Sequence, residues 1–247
     1  MALNPVVIIP ARMHATRLPG KPLADIHGEP MIVHVWRRAV AAGIGPVVVA
    51  CAERAVFDAV HAHGGNAVMT DPDLPTGSDR VWQALEQIDP DRGFNAIVNV
   101  QGDLPTIDPA VIRAVFAPLK AKGVDISTLV TEITLDEERT NPNVVKAVVS
   151  VAPGARVGRA LYFSRATVPA NAGPHYHHIG LYAYRRKALA KFVALPQGVL
   201  EQREKLEQLR ALENGMRIDC ALVDTVPLGV DTPADLERAR ALLNAPR

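Results

Sequence analysis

Val6-Val-Ile-Ile9 is followed at once by Pro10-Ala-Arg-Met-His-Ala-Thr-Arg-Leu-Pro-Gly-Lys-Pro22. The first four residues are β-branched and uninterrupted, which reads as a buried strand. The next thirteen cannot extend it, because prolines, a glycine and the cations Arg12, Arg17 and Lys21 fill them. A basic loop therefore follows the carboxyl end of an apolar strand.

Outward from this point, short apolar runs alternate with helical patterns. Strands are expected at 47–50, 67–69 and 96–100. Helices are expected at 31–42, 53–63, 78–87 and 109–122. Continuous apolar strands separated by helices predict a mainly parallel sheet covered on both faces. After Gly123 the pattern changes: 126–133, 144–151 and 181–184 read as strands with fewer helices between them. This predicts a mixed, partly antiparallel extension of the sheet. A helix over 200–214, a strand over 217–222 and a helix over 233–243 complete the chain. No linker or repeat interrupts it, so a single α/β domain spanning 1–247 is expected, with parts near 1–123, 124–215 and 216–247.

Lys and Arg number 27 against 26 Asp and Glu, a net charge of +1. That balance excludes a sequence-independent grip on nucleic acid or an anionic membrane surface. The apolar runs are too short to cross a bilayer. The start Met-Ala-Leu-Asn lacks the layout of a secretory signal. Cys51 and Cys220 lie in apolar runs and read as buried free thiols, which places the chain in a reducing cytoplasm.

Ligands of open parallel sheets bind beyond the carboxyl ends of the strands. Two such ends stand out here, 10–22 and Gln101-Gly-Asp103. The loop 10–22 holds three cations and no acid, which suits a polyanion such as a triphosphate, with the N–H groups of Ala11, Arg12 and Gly20 as further donors. It matches neither the dinucleotide-binding nor the P-loop glycine pattern. Asp103 ends a strand beside Gly102, where backbone can approach a ligand closely. Asp231 precedes Thr232-Pro233, where its plain role is to cap a helix. Ser78 stands in the same position before the helix 78–87. Glu207 and Gln208 flank the apolar stripe Leu206, Leu209, Leu212 and read as solvated surface. The spacing of His175, His177 and His178 matches no closed zinc site. Trp36 and Trp82 fit helix packing.

The strings Val7-Ile-Ile-Pro-Ala-Arg12 and Thr16-Arg-Leu-Pro-Gly-Lys-Pro-Leu23 resemble the signature loop of the sugar cytidylyltransferases. Within that group the resemblance is to the branch acting on 3-deoxy-D-manno-octulosonate (KDO). Val98-Asn-Val-Gln-Gly-Asp103, Leu161-Tyr-Phe-Ser-Arg-Ala-Thr167, His178-Ile-Gly-Leu-Tyr182, Leu206 to Asn214 and Val230-Asp-Thr-Pro233 continue it in order along the chain. The resemblance implies a Rossmann-like three-layer α/β/α nucleotidyltransferase fold and transfer of CMP from CTP to KDO with release of pyrophosphate, feeding lipopolysaccharide synthesis. It implies that Pro10, Ala11, Arg12, Arg17 and Lys21 surround the triphosphate, with Arg12, Lys21 and Asp103 catalytic. It implies that Gln101, Gly77, Ser78 and Arg80 meet the base and ribose. Thr-Glu is usual in that family where this chain has Ser78-Asp79, a departure that bears on cytosine selectivity. Asp103 and Asp231 are implied to hold Mg2+. Arg165 is implied to face the sugar carboxylate, and His178, Gly180, Tyr182, Glu207 and Gln208 the rest of the sugar. Homodimers are common among such proteins. The segment 168–176 is a candidate lid.

Competing readings are a cytidylyltransferase for sialic acid or amino-KDO, and a non-catalytic nucleotide sensor. The absent glycine fingerprint argues against an NAD-dependent dehydrogenase.

Overall fold

The computed structural model describes residues 2–14 and 17–244; Ala15 and Thr16, inside the expected phosphate loop, lie outside the described residues. The chain forms two compact units, Met1–Arg113 with Pro227–Arg247, and Ala114–Val226.

In the first unit, β1 (Pro5–Ala11) is flanked by β4 (Val47–Cys51) and β6 (Ala96–Asn99), with β5 (Asn66–Met69) outside β4. All three pairings are parallel, with Val7 opposite Val47 on one side and Val98 on the other. Val6 to Ile9 are completely inaccessible. A strand buried on both faces has no reason to alternate, and its sequence does not. Helices Met31–Ala41, Arg54–Ala62 and Gly77–Ile88 make the successive crossovers. A two-stranded ribbon of β2 (Asp25–Ile26) and β3 (Glu29–Pro30) precedes the first of them, a feature too short to read from sequence. The chain end returns to this unit as helix Pro233–Asn244, whose Leu236 and Ala239 pack with Ile26, Met31 and Val230.

The second unit contains β7 (Ile126–Glu132), β8 (Lys146–Ser150), β9 (Val157–Ser164), β10 (Tyr176–Arg185) and β11 (Ile218–Leu222). Their order is β10-β7-β11-β9-β8, and β10 also pairs with β8, so the five strands close on themselves. Only β7 and β11 run parallel.

Several expectations are corrected. The helix expected over 109–122 ends at Phe116 and tightens into a 3-10 turn, Ala117–Lys120, where Pro118 removes a backbone donor. Strand β9 escaped the reading because Gly158 and Arg159 break its apolar pattern. The helix expected over 200–214 is two helices, Val199–Glu204 and Leu209–Glu213, separated at Lys205 with φ of 57°. Strand β11 belongs to the second unit because its hydrogen bonds go to β7 and β9, and only 227–247 joins the first. The two units meet in sequence at Arg113/Ala114 and again at Val226/Pro227.

Candidate active site

The carboxyl ends of β1 and β6 lie side by side, and the loops leaving them line a cavity of about 420 Å³ in the first unit. Pro10 and Ala11 reach it from the end of β1, Arg12, Arg17 and Lys21 from the loop that follows, and Gln101 and Asp103 from the loop after β6. Gly77 and Arg80 come from the start of helix Gly77–Ile88, and Asp231 from the segment before the last helix. The residues placed around the nucleotide by sequence therefore meet, with the exception of Ser78. Gly102 is required where it stands, since a Cβ there would lie 2.7 Å from the Pro10 carbonyl oxygen. Thr76 lines the cavity too, and so does His14, which was not singled out by sequence.

Asp103 and Asp231 converge on one point, occupied by the Lys21 ammonium. Its Nζ donates to Asp103 Oδ2 at 2.8 Å and to Asp231 Oδ1 at 3.0 Å. Arg17 Nη2 donates to the other oxygen of Asp231 at 2.9 Å. Burial alone would lower the Lys21 pKa; the charges and hydrogen bonds of the two aspartates outweigh it and raise the value. Two of the loop's three cations are thus compensated by acids from elsewhere. The Arg12 guanidinium has no hydrogen-bond or ion-pair partner among the described residues and is exposed beside the cavity. Two hard carboxylates facing one cationic position are a donor set that fits magnesium.

The two roles open for Asp231 are separated by its neighbours. Thr232, not Asp231, caps the last helix: its Oγ1 accepts from the Asp235 N–H, and Asp235 Oδ2 accepts from the N–H groups of Thr232 and Asp231. Asp231 is freed to face Lys21. The same substitution of caps occurs at the earlier helix. Thr76 Oγ1 accepts from Asp79 N–H and donates to Asp79 Oδ2, so Ser78 falls inside the first turn and is buried. Gly20 does not offer its N–H to a ligand, because it donates to the Met13 carbonyl and closes the loop. Arg80 is 2% exposed and its Nη1 donates to Thr70 Oγ1 and the Asp71 carbonyl, bracing the loop after β5. Burial lowers its pKa.

The residues assigned to the sugar lie in the second unit. His178 and Tyr182 share a face, with ring centroids 5.7 Å apart. Between them the β10–β7 register shifts, and Gly180 sits in the irregularity. Thr128 Oγ1 lies 2.8 Å from Leu181 O, 3.1 Å from Ile179 O and 3.0 Å from His178 Nε2. A hydroxyl has one proton, and the carbonyls claim it, so Nε2 carries the hydrogen and donates to Thr128. Nδ1 is then the acceptor facing Gln208 Nε2 at 3.5 Å. Burial first, and the His177 charge second, push the His178 pKa down to about 3. Gln208 is buried at the turn between the two short helices, which overturns its reading as solvated surface, and Glu207 adjoins it half-buried. Arg165 is oriented by Nε donating to Glu204 O and Nη1 donating to Pro142 O, each at 3.0 Å. Its other guanidinium hydrogens are uncommitted among the described residues. Glu204, which collects Ser164, Tyr162 and the Arg165 N–H, was not singled out by sequence.

A family model described as cytidylyltransferase matches residues 6–218. A 3-deoxy-manno-octulosonate cytidylyltransferase of Paramagnetospirillum magneticum is 82% identical over 98% of this chain and 99% of its own. One of Rhodospirillum rubrum is 71% identical over 98% of this chain and 96% of its own. The solved structure of a CMP:2-keto-3-deoxy-manno-octonic acid synthetase complexed with CTP superimposes with a TM-score of 0.88 at 39% identity, covering 97% of this chain and 98% of that one. With Lys21, Asp103 and Asp231 assembled at one point, this chain belongs to the cytidylyltransferase family, among the 3-deoxy-manno-octulosonate cytidylyltransferases.

Proposed function

We propose that this chain transfers CMP from CTP to the anomeric hydroxyl of KDO, forming CMP-KDO and pyrophosphate. The observation that carries the reading is the convergence of Lys21, Arg17, Asp103 and Asp231 at the mouth of a basic loop. In the reaction the sugar hydroxyl oxygen bonds to the α-phosphorus and the bond from that phosphorus to pyrophosphate breaks. The hydroxyl proton passes to solvent. Little covalent help is needed from the protein; positioning and charge neutralisation dominate.

Arg12 offers an uncommitted guanidinium to phosphate oxygens. Lys21 and Arg17 exchange carboxylate partners for phosphate as the nucleotide enters, and Lys21 stabilises charge gathering on the leaving pyrophosphate. Asp103 and Asp231 would hold magnesium, which would supply the positive charge that lets two carboxylates sit beside a triphosphate. Gln101 and Gly77 serve the base and ribose, with Arg80 as the brace behind them. Arg165 takes the sugar carboxylate, and Tyr182, Glu207 and Gln208 take its hydroxyls, with neutral His178 orienting the Gln208 amide.

The arrangement is taken to be the Rossmann-like three-layer form of the nucleotidyltransferases, working as a cytoplasmic homodimer. Two buried, inert thiols suit that compartment: burial pushes the Cys51 pKa up to about 12 and raises that of Cys220 as well.

The test is CTP-dependent pyrophosphate release with magnesium across KDO, amino-KDO and sialic acid. KDO is expected to give the highest kcat/KM. Preference for sialic acid would overturn the substrate, and CTP binding without turnover on any sugar acid would overturn the activity.

A further inference from the structure

Lys146, on β8, is fully inaccessible, and no carboxylate reaches its ammonium among the described residues. Removing an ammonium from water costs several kcal/mol unless something is gained. Its neighbours in register are His177 on β10 and Ser164 on β9. Glu204, which accepts from Ser164 of that row, is also engaged with Tyr162 and the Arg165 N–H. The partner of Lys146 Nζ is instead a carbonyl, Asn141 O, at 2.8 Å. That oxygen also accepts from the Val144 N–H, and Asn141 Oδ1 accepts from the Asn143 N–H, so Lys146 fastens a tight turn. The next carbonyl of the turn, Pro142 O, is the one that accepts from Arg165 Nη1. Two cations therefore hold successive carbonyls of one turn, Lys146 from the interior and Arg165 from the open side. Burial and the Arg165 charge both lower the Lys146 pKa, in keeping with this proximity.

We infer that Lys146 is a positioning residue for the acidic-sugar substrate: it fixes the 141–144 turn so that Pro142 O aims the Arg165 guanidinium at the sugar's carboxylate. The inference rests on the reading of Arg165 as the carboxylate ligand. A lysine that merely supported the strand would hold no particular side chain in place, and its loss would act on the fold as a whole. A lysine that aims Arg165 matters for the sugar acid and hardly for CTP.

The experiment compares Lys146→Met, Arg165→Ala and the double variant in steady-state kinetics, each substrate varied in turn. Lys146→Met is expected to raise the KM for KDO about tenfold, leaving kcat and the KM for CTP within about twofold. The double variant is expected to match Arg165→Ala, because a misaimed arginine that is absent cannot be misaimed further. Additive losses, or equal changes in both KM values, would overturn the positioning role. If Arg165→Ala leaves the KM for KDO unchanged, Arg165 is not the carboxylate ligand and the inference falls with that reading. If Arg165→Ala raises it and Lys146→Met does not, the inference alone falls. Should Lys146→Met fail to fold, the exposed Asn141→Ala, which removes the side-chain bond of the same turn, is expected to raise the KM for KDO about threefold. No change there would overturn the inference.

Discussion

Asp103 and Asp231 accept hydrogen bonds from the same ammonium, that of Lys21, at 2.8 and 3.0 Å. They come from distant parts of the chain, yet the Val230 N–H donates to Asp103 O at 2.9 Å, which ties the two segments together immediately behind the carboxylates. The backbone thus presents both acids to one position whatever occupies it. Replacing Lys21 removes the donor intended for the leaving group without touching that framework. Lys21→Ala is expected to lower kcat by about a hundred- to a thousandfold with an unchanged far-UV circular dichroism spectrum. A near-native rate would remove Lys21 from the chemistry.

Asp231 and Thr232 are adjacent but do different work, and substitution separates them. Asp231→Asn leaves the cap of the last helix in place, since Thr232 and Asp235 form it. The variant is expected to keep its thermal midpoint and to need a higher magnesium concentration for half-maximal rate. Thr232→Ala is expected to lose about 1 kcal/mol of stability in urea unfolding and to keep its magnesium dependence. The reverse pattern would return Asp231 to a capping role.

The first unit was largely legible because its signals are local. Fully buried parallel strands are continuous apolar runs, and each crossover helix announces itself by period. Even the cation-rich loop could be placed at a strand end from residues alone. What was not legible depended on partners distant in sequence. Thr76 and Thr232 took the caps expected of Ser78 and Asp231, a difference of a residue or two in helix start. The role of Asp231 followed from Lys21, and no spacing rule connects them. The break at Lys205 was hidden because a lysine in the left-handed region leaves no mark in composition. It matters for the site, since the turn after it carries Glu207 and Gln208 where a continuous helix would not.

That turn is held by a buried ion pair. Glu201 accepts from Arg210 Nε at 2.8 Å and Nη2 at 2.7 Å, and both side chains are 7% exposed. Burial alone would raise the Glu201 pKa, but the Arg210 hydrogen bonds, the Gly198 N–H and the Arg210 charge together lower it. The pair spans the two short helices, so its loss unfastens the residues between them. Glu201→Gln leaves a buried guanidinium short of its counter-charge and is expected to cost about 3–5 kcal/mol in urea unfolding. In the protein that remains folded, the KM for KDO is expected to rise more than that for CTP. A stability change under 1 kcal/mol would show that the pair fastens nothing.

His178 links the acid stability of the second unit to its hydrogen-bond pattern. Its native pKa, pushed down to about 3, lies below the 6.5 of an unhindered imidazole, with burial the main cause and the His177 charge the lesser. As pH falls below 6.5 the unfolded chain takes up a proton that the native ring refuses. Stability must therefore decline with falling pH, by up to about 1.4 kcal/mol per pH unit, and the decline ends only near pH 3. A proton on Nδ1 would also confront the Gln208 amide hydrogens, a second reason the native state resists it. His177 and His34 shift in the same direction, so the wild-type slope alone does not isolate one ring. His178→Gln removes only its own contribution. Between pH 6.5 and 5 the variant is expected to lose about 1.6 kcal/mol less than the wild type in urea unfolding. Equal losses in the two proteins would mean that His178 takes up its proton in the native state, and that the Thr128–His178–Gln208 chain is not fixed in the direction argued from its hydrogen count.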